Sequence, residues 1–398
     1  MAKRSIWQTL QVLAAEQRRA LIRREASAVA DLTARMTGVD AAIARELNRV
    51  ESKIIAAQAA GEPIGRSWIS RKADLARMQV ELEAALADWQ GDANAMILAA
   101  QADAAALGTY GAQQMIGASL PDGYAGTGFS FGGTNLGQAS NLVAAMNAGL
   151  PIVDLATGTS IALTEQAEAA LLEAVVMGKN PRDVIAALRQ SMPNMPRYQA
   201  ERIARTEMGR ASAAAALERY NESEYVGRWV WIAHPGSCCA GCLAKHGTIH
   251  SLDEAMGKHV NCRCTMGPVT PSYADLGIPG IEDPMDQFYA EAAAAGETML
   301  AGMSLDELTR RFGPGKAKLI HDGTLQLPDL LHVRTHPYYG PANGEASLRQ
   351  AQANALARRN QRGEGALTKS DLIENYRKMY GKDPSPAMLK KLERRRGA

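Results

Sequence analysis

An otherwise helical sequence changes character at Tyr225-Val-Gly-Arg-Trp-Val-Trp-Ile-Ala233. The stretch is rich in β-branched and aromatic residues, which predicts a β-strand. A returning strand is predicted for Cys264-Thr-Met-Gly-Pro-Val269. Elsewhere alanine is abundant and aromatic residues make up 5% of the chain, which favours helices. We therefore expect a mainly α protein with an N-terminal helical hairpin, a helical core and a small β module at residues 225–270, an α+β arrangement.

The cysteines are concentrated directly behind the predicted strand. All five lie between Cys238 and Cys264, and four of the seven histidines fall in or beside this window, namely His234, His246, His250 and His259. The N-terminal sequence shows no signal-peptide pattern, which predicts synthesis in the cytoplasm. The longest apolar stretch, around residues 169–177, is far shorter than the ~20 residues of a membrane span. A cysteine cluster in a cytoplasmic protein indicates metal binding before disulfides.

The spacing of these residues predicts a tetrahedral zinc site. The order is Cys239-Ala-Gly-Cys242, sixteen residues, and then His259-Val-Asn-Cys262-Arg-Cys264. Two residues between ligands suit a tight turn that brings both side chains to one ion, and three Cys with one His form a common structural zinc set. We expect Cys239, Cys242, His259 and Cys262 as ligands, with Cys264 as a replacement for Cys262 because the two alternate along a strand. Cys238 and His246 are less well placed, and the alternative is a cluster of reduced thiols without metal.

A structural zinc ion is favoured over a catalytic one. A catalytic zinc keeps an open coordination position and has a general base nearby, whereas four protein ligands leave no vacancy. Zinc deaminases carry a His-x-Glu sequence before Cys-x-x-Cys, and nothing of that form precedes Cys239. We predict no catalytic residues.

The rest of the chain is predicted to form helical segments. Apolar residues spaced three and four apart from Val29 to Ile54 make a narrow seam, which predicts a hairpin whose second arm begins near Trp68. The seam packs the two arms together or, alternatively, docks a partner helix. The predicted division is an N-terminal hairpin arm at 1–118, a Gly-rich loop at 119–137, a core with the zinc module at 138–270, a mixed region at 271–344 and a basic helical tail at 345–398.

Charge separates the tail from the body. Residues 345–398 contain 13 Lys and Arg against 6 Asp and Glu, a local charge of +7, whereas the whole chain carries +2, which leaves about −5 for the body. Such a tail is either a solvated segment or a mobile anion-binding arm. For the second case the candidate partners are DNA and an acidic protein surface.

Two motifs together resemble a known protein family. The strand Trp229-Val-Trp-Ile-Ala233 is followed by Cys-x-x-Cys, His246-Gly247 and His259-x-x-Cys262-Arg-Cys264. About thirty residues before these cysteines lies the helical sequence Ala204-Arg205-Thr206-Glu207. This order is similar to that of the Mu F-like phage head-morphogenesis proteins, over residues 140–270. His246 departs from the acidic residue that the family commonly has before that glycine. If the helix packs on the module, Arg205 and Glu207 are expected to be more buried than a surface pair.

The resemblance implies a structural role and no enzymatic activity. It implies a minor capsid or head-morphogenesis protein of a tailed phage that associates with the portal protein and other head proteins during procapsid assembly. The location would be the virion, in the head interior or at the portal vertex, with several copies per virion assembled in the host cytoplasm and no membrane partner. Packaged DNA is a further candidate partner of the tail. The rival hypotheses are a nucleic-acid-binding zinc protein and, less favoured, a zinc-dependent hydrolase completed by His234, His246 or His250.

Overall fold

The structure of the chain is a computed structural model. The structure describes residues 4–62, 72–121, 155–176, 181–234, 236, 238–278, 280–336 and 340–361, with scattered residues between 370 and 389. Most of the predicted Gly-rich loop and most of the tail beyond residue 361 lie outside these residues. Within the described part of the chain, none of the helices combines the length and hydrophobicity of a membrane span.

The described chain is mainly helical, as the sequence predicts. The helices are α1 Ile6–Ala34, α2 Thr37–Ala59, α3 Lys72–Ala118, α4 Leu155–Val176, α5 Pro181–Ser191, α6 Asn194–Asn221, α7 Ala240–Lys245, α8 Met285–Ala301, α9 Leu305–Phe312, α10 Pro314–His321 and α11 Leu348–Gln361. The strands are β1 Arg228–Ile232, β2 Ile249–Ser251, β3 Thr265–Val269, β4 Leu331–His336 and β5 Gly340–Glu345, and a short 3-10 helix covers Leu327–Leu330.

The chain forms two compact units. The sheet unit comprises Met1–Arg18, Gly108–Gly133 and Ala213–Ala398, and the helical unit comprises Arg19–Leu107 and Thr134–Ser212. The borders between them fall inside α1, α3 and α6. These units cut across the five segments predicted from the sequence, and that finer division stays a prediction.

The helical unit is built on the apolar seam. Its core contains Leu32, Met36, Val39, Ile43, Leu47 and Ile54 from the seam, together with apolar residues of α3, α4, α5 and α6. The predicted first arm is two helices, because α1 ends at Ala34 and α2 begins at Thr37. The predicted start of the second arm near Trp68 lies outside the described residues, and the arm is seen as α3 from Lys72 through Gly91 to Ala118. The seam therefore packs the chain's own helices together.

The sheet unit contains the predicted strands in a three-stranded antiparallel sheet of order β2-β1-β3. In register, Val230 lies opposite Ile249 of β2 and Gly267 of β3. Alternate residues of β1 enter different cores: Trp229 and Trp231 pack with the cysteine region, whereas Val230 and Ile232 pack with the first turns of α1 and with α8. Both faces of the sheet are thus covered, which explains the unbroken apolar run in β1.

The C-terminal part of the sheet unit differs from the prediction. The segment predicted as turns and mixed structure contains α10 and the antiparallel hairpin β4–β5. The sequence of β5, Gly340-Pro-Ala-Asn-Gly-Glu345, has residues that disfavour strands, so local propensity gave the wrong result there. The tail was predicted to separate at Glu345, but α11 buries Ala351 and Ala355 in the core. Any separate tail therefore begins after residue 361.

Candidate metal centre

The first pair of predicted ligands lies at the start of α7. Cys239 is the N-cap of this helix, and its sulfur accepts a hydrogen bond from the backbone N–H of Cys242 at 3.4 Å. Gly241, between the two cysteines, faces the β4–β5 hairpin so closely that a Cβ there would lie 2.0 Å from the carbonyl oxygen of Gly344. Glycine is therefore the residue that lets the hairpin backbone close over this turn.

The second pair lies in a tight turn before β3. The backbone N–H of Cys262 donates to the carbonyl of His259 at 3.0 Å, and Asn261 adopts a left-handed conformation with φ of 63°. Asparagine tolerates this conformation better than most residues. The Nδ1 atom of His259 lies 2.7 Å from the Val260 carbonyl oxygen, which fixes the proton on Nδ1 and leaves Nε2 as the free ligand atom.

Three of the four predicted ligands, Cys239, Cys242 and His259, form one group, and the fourth, Cys262, contacts Cys242. Nε2 of His259 lies 3.4 Å from the sulfur of Cys239 and 3.1 Å from that of Cys242, and the sulfurs of Cys242 and Cys262 are 3.7 Å apart. A tetrahedral zinc ion with ordinary bond lengths gives edges of about 3.8 Å between sulfurs and about 3.6 Å between sulfur and nitrogen. The three observed spacings agree with these edges to within about half an ångström, and thiolate sulfur and imidazole nitrogen are donors that zinc prefers.

Among the described residues, two overlapping groups can hold a metal ion. One is Cys239, Cys242 and His259, and the other is Cys242, Cys262 and Cys264. Cys242 belongs to both and is the centre of the cluster. All five cysteines are free thiols. Since Cys262 and Cys264 both contact Cys242, the choice between them as fourth ligand stays open.

The cluster is arranged to hold negative charge on sulfur. The side-chain hydrogen bond with Cys242, and then contact with His259, outweigh burial and lower the pKa of Cys239 to about 4. Burial lowers the pKa of His259, but hydrogen bonds to Cys239 and Cys262 outweigh this effect and raise it to about 11. The thiolates therefore attract one positive charge, either a proton on the imidazole or a metal ion in its place. Metal binding requires the neutral imidazole, so the two compete.

The remaining candidates of the window lie outside both groups. Cys238 is buried, which raises its pKa to about 11. Nδ1 of His246 accepts a hydrogen bond from the backbone N–H of Ala233, and its ring lies 5.3 Å from that of Trp7. His250 stacks on Trp229 at 4.2 Å. Nδ1 of His234 accepts from the N–H of Gly236. These histidines are held by other contacts.

Several residues that sequence reasoning missed support the cluster. Glu345 accepts a hydrogen bond from the N–H of Ala240 and pairs with Lys316, so the β4–β5 hairpin holds the first turn of α7. Lys258 donates to the carbonyl oxygen of Cys264 at 2.9 Å, and Arg18 donates to that of Arg263 at 2.8 Å. No short motif marks these contacts, because most of them join segments remote in the sequence.

The helical motif Ala204-Arg205-Thr206-Glu207 lies in the helical unit. Glu207 is 5% exposed and accepts a hydrogen bond from Nε2 of the buried Gln101 at 2.9 Å. Arg205 is half-buried and pairs with Glu201, and Glu25 lies 4.0 Å from it. The motif is therefore a buried polar network. Its predicted packing on the cysteine module stays a prediction.

The comparisons with known proteins agree with the resemblance. Residues 165–267 match the sequence model of the family described as phage Mu protein F like protein. No curated protein and no solved structure matches the chain significantly. The matched segment contains the Arg205–Glu207 motif, the cysteine cluster, strands β1 and β2 and the first part of β3. The predicted family resemblance is thus confirmed over about a quarter of the chain.

Proposed function

We propose that this protein is a structural component of a tailed-phage head, a minor capsid or head-morphogenesis protein that carries one structural zinc ion. The observation that supports it most is the match of residues 165–267 to the phage Mu F-like family, with the cysteine cluster inside the matched segment. The proposed ligands are Cys239, Cys242, His259 and Cys262. The proposed partners are the portal protein and other head proteins, in the head interior or at the portal vertex.

The ion would stabilise the small β module of residues 225–270. The sheet has strands of five, three and five residues, too short to hold the loops at 233–248 and 252–264 by themselves. Structural zinc contributes folding free energy directly, because the site does not exist in the unfolded chain. With four protein ligands, the ion has no coordination position left for substrate, and the proposed role is non-enzymatic.

Two features count against the rival functions. Lys258, one of the few basic residues of the cluster, is 8% exposed and donates inward to Cys264, so it does not face a phosphate backbone. A hydrolase would need a further histidine at the ion, yet His246 and His250 are engaged with Ala233 and Trp229, outside the groups of described residues that can bind metal.

The metal site is tested by the metal content and spectrum of the purified full-length chain. We expect one zinc per chain by mass spectrometry of the digested protein. After exchange for Co²⁺, we expect the intense visible absorption of a tetrahedral thiolate site. The Cys242→Ser variant should lose both, while Cys238→Ser, altered at a buried thiol outside the groups, should keep both. Metal-free wild-type protein that remains metal-free after refolding with zinc would contradict the proposal.

The role in the head is tested in the phage that encodes the chain. We expect the protein in purified procapsids, and we expect that portal-containing particles capture it. A nonsense mutation should leave few heads filled with DNA, and complementation by wild type or Cys238→Ser, but not by Cys242→Ser, should restore them. Normal yields of infectious particles without the protein would contradict the proposed role.

The basic tail is proposed as a DNA-binding arm, and its test requires a cut after Gln361. Residues 362–398 carry 10 Lys and Arg against 5 Asp and Glu. DNA binding through them should weaken with salt, with a log–log slope of about −0.9 per phosphate contacted. A chain that ends at Gln361 keeps α11 and should lose most of this binding. Equal binding by both chains would remove the tail from the proposal.

A further inference from the structure

Arg18 is a buried cation beside the cysteine cluster. It lies on α1, outside the matched segment, and it is 4% exposed. Its Nε donates a hydrogen bond of 2.8 Å to the carbonyl oxygen of Arg263, the residue between Cys262 and Cys264. Its Nη2 is buried and has no hydrogen-bond partner among the described residues. The side chain thus spans from the N-terminal helix to the loop that carries two of the candidate ligands.

A guanidinium in this position needs a counter-charge. Arginine does not lose its proton in proteins, so it cannot avoid the cost of burial by becoming neutral. Burial lowers the pKa of Arg18, and negative charge on Cys264 and Cys262 would raise it. Because the carbonyl group that Arg18 binds belongs to the residue between Cys262 and Cys264, the thiolates of these two cysteines are the counter-charge that this loop offers.

We propose that Arg18 is a positioning residue of the metal centre: its guanidinium compensates the negative charge of the metal-bound thiolates and ties residues 6–18 to the 262–264 loop. This rests on the proposed zinc site. A zinc ion with three thiolates and one imidazole carries a net charge of −1, which one guanidinium balances. Lys258, bonded to the Cys264 carbonyl, is a second buried cation on the same loop.

The proposal couples metal binding to the N-terminal helix. When the ion leaves, the loop that carries Cys262 and Cys264 loses a fixed point, and with it the carbonyl oxygen to which Arg18 donates loses its fixed position. The docking of residues 6–18 should then weaken. When Arg18 is neutralised, the thiolates lose a stabilising charge, and the affinity for zinc should fall. Loss of partners that surround metal ligands typically weakens metal binding about 10- to 100-fold.

The first test compares zinc affinities of full-length variants by competition with a chromophoric chelator. Arg18→Met removes the charge at nearly constant size, Arg18→Lys keeps the charge, and Arg19→Met is the control at the exposed neighbour. We expect about 10- to 100-fold weaker binding for Arg18→Met, most of the affinity for Arg18→Lys, and wild-type affinity for Arg19→Met. Equal loss in the Lys and Met variants would overturn the charge argument.

A spectroscopic signature separates charge compensation from a merely structural role. In the Co²⁺-loaded chain, removing a nearby cation raises the energy of the thiolate electrons, so the thiolate-to-cobalt band should move to longer wavelength in Arg18→Met and return in Arg18→Lys. An unshifted band with wild-type zinc affinity in Arg18→Met would overturn the inference and leave the zinc site standing. A wild-type chain that binds no metal would overturn both.

A measurement on the wild type covers the case in which Arg18→Met does not fold. Hydrogen exchange of residues 6–18 is followed with and without zinc. We expect faster exchange in this segment when the metal is removed, in parallel with residues 238–264. Identical exchange of residues 6–18 in the two states would show that the helix does not depend on the centre.

Discussion

The helical unit and the sheet unit hold themselves together by different means. The helical unit distributes its stability over a large apolar core of Leu, Met, Ile and Ala from several helices. The sheet unit adds a small sheet, a cluster of thiols and a set of buried polar contacts between remote segments. In the helical unit, each core residue contributes a modest part of the free energy of unfolding. In the sheet unit, single residues fix the position of whole loops.

This difference predicts how each unit responds to damage. Removal of one side chain from a distributed core leaves a cavity, and its cost grows with the cavity volume. Removal of one metal ligand releases the loop that carries it. Removal of one partner of a buried ion pair leaves the other charge uncompensated. The sheet unit should therefore be the more fragile to single substitutions, although its sheet is buried on both faces.

The largest effect is expected from Cys242→Ser, because Cys242 belongs to both metal-binding groups. Apparent zinc-binding free energies of ~10–16 kcal/mol in small zinc domains exceed the effect of any core substitution. Hydrogen exchange should show loss of protection across residues 225–270, while helices α2 and α5 of the helical unit keep theirs. Unchanged protection of residues 225–270 in the variant would mean that the module does not depend on this residue.

The next largest effect is expected from Asp329→Asn in the sheet unit. Asp329 is buried, and Arg358 donates to its two carboxylate oxygens at 3.0 and 2.8 Å. Breaking a buried pair typically costs ~3–5 kcal/mol because the remaining charge is uncompensated. The exposed pair Arg24–Asp103 of the helical unit is the control, and Asp103→Asn should cost less than ~1 kcal/mol by denaturant unfolding. Similar costs for the two variants would remove the predicted contrast between the units.

A core substitution in the helical unit should cost somewhat less. Leu82 is fully buried in its core, whereas Val80, two residues away on α3, is 64% exposed. Leu82→Ala should lower the free energy of unfolding by ~2–5 kcal/mol, and Val80→Ala by less than ~0.5 kcal/mol. Hydrogen exchange should place the Leu82→Ala effect in the helical unit. An equal effect in the sheet unit would show that the two unfold as one.

The smallest effect depends on pH and concerns His246. Burial lowers the pKa of this imidazole to about 4, below its ordinary 6.5, so the folded protein keeps it neutral. Between these values the unfolded chain binds a proton that the folded chain does not, and acid therefore destabilises the fold. From pH 7 to pH 5 the wild type should lose about 2 kcal/mol more than His246→Gln, which retains an acceptor for the Ala233 N–H. Parallel pH curves would show that His246 is not the titrating group.

The discrete signals in the sequence predicted the main features well. Strand β1 follows from its β-branched and aromatic residues, and the return in β3 was placed correctly. The two Cys/His turns brought Cys239, Cys242 and His259 within ligand distance of one another. Each pair of candidate ligands could be predicted because it is local. The two-residue spacing that identifies the pair in the sequence also forms the turn that brings its side chains together.

The missed features depend on contacts between remote segments. The strand propensity of β5 is poor, and its place is set by pairing with β4 and by the close approach of Gly344 to Gly241. The break between α1 and α2 occurs inside a continuous apolar seam, so periodicity gave no signal. Helix α11 was assigned to the tail because the tail was defined by its net charge. The small residues Ala351 and Ala355, which pack in the core, gave no comparable signal.

The hydrogen bond between Arg18 and Arg263 also joins a residue that is synthesised early to one that is synthesised late. The two residues are separated by 245 positions in the chain. At ~5–20 residues per second, the ribosome needs about 10–50 s to make the partner of the first helix. During that interval Trp7, Leu10 and Ala14 are made but the strand residues they cover, Val230 and Ile232, are not. The apolar face of the nascent N-terminus is therefore a natural substrate for a holding chaperone until the cysteine loop leaves the ribosome.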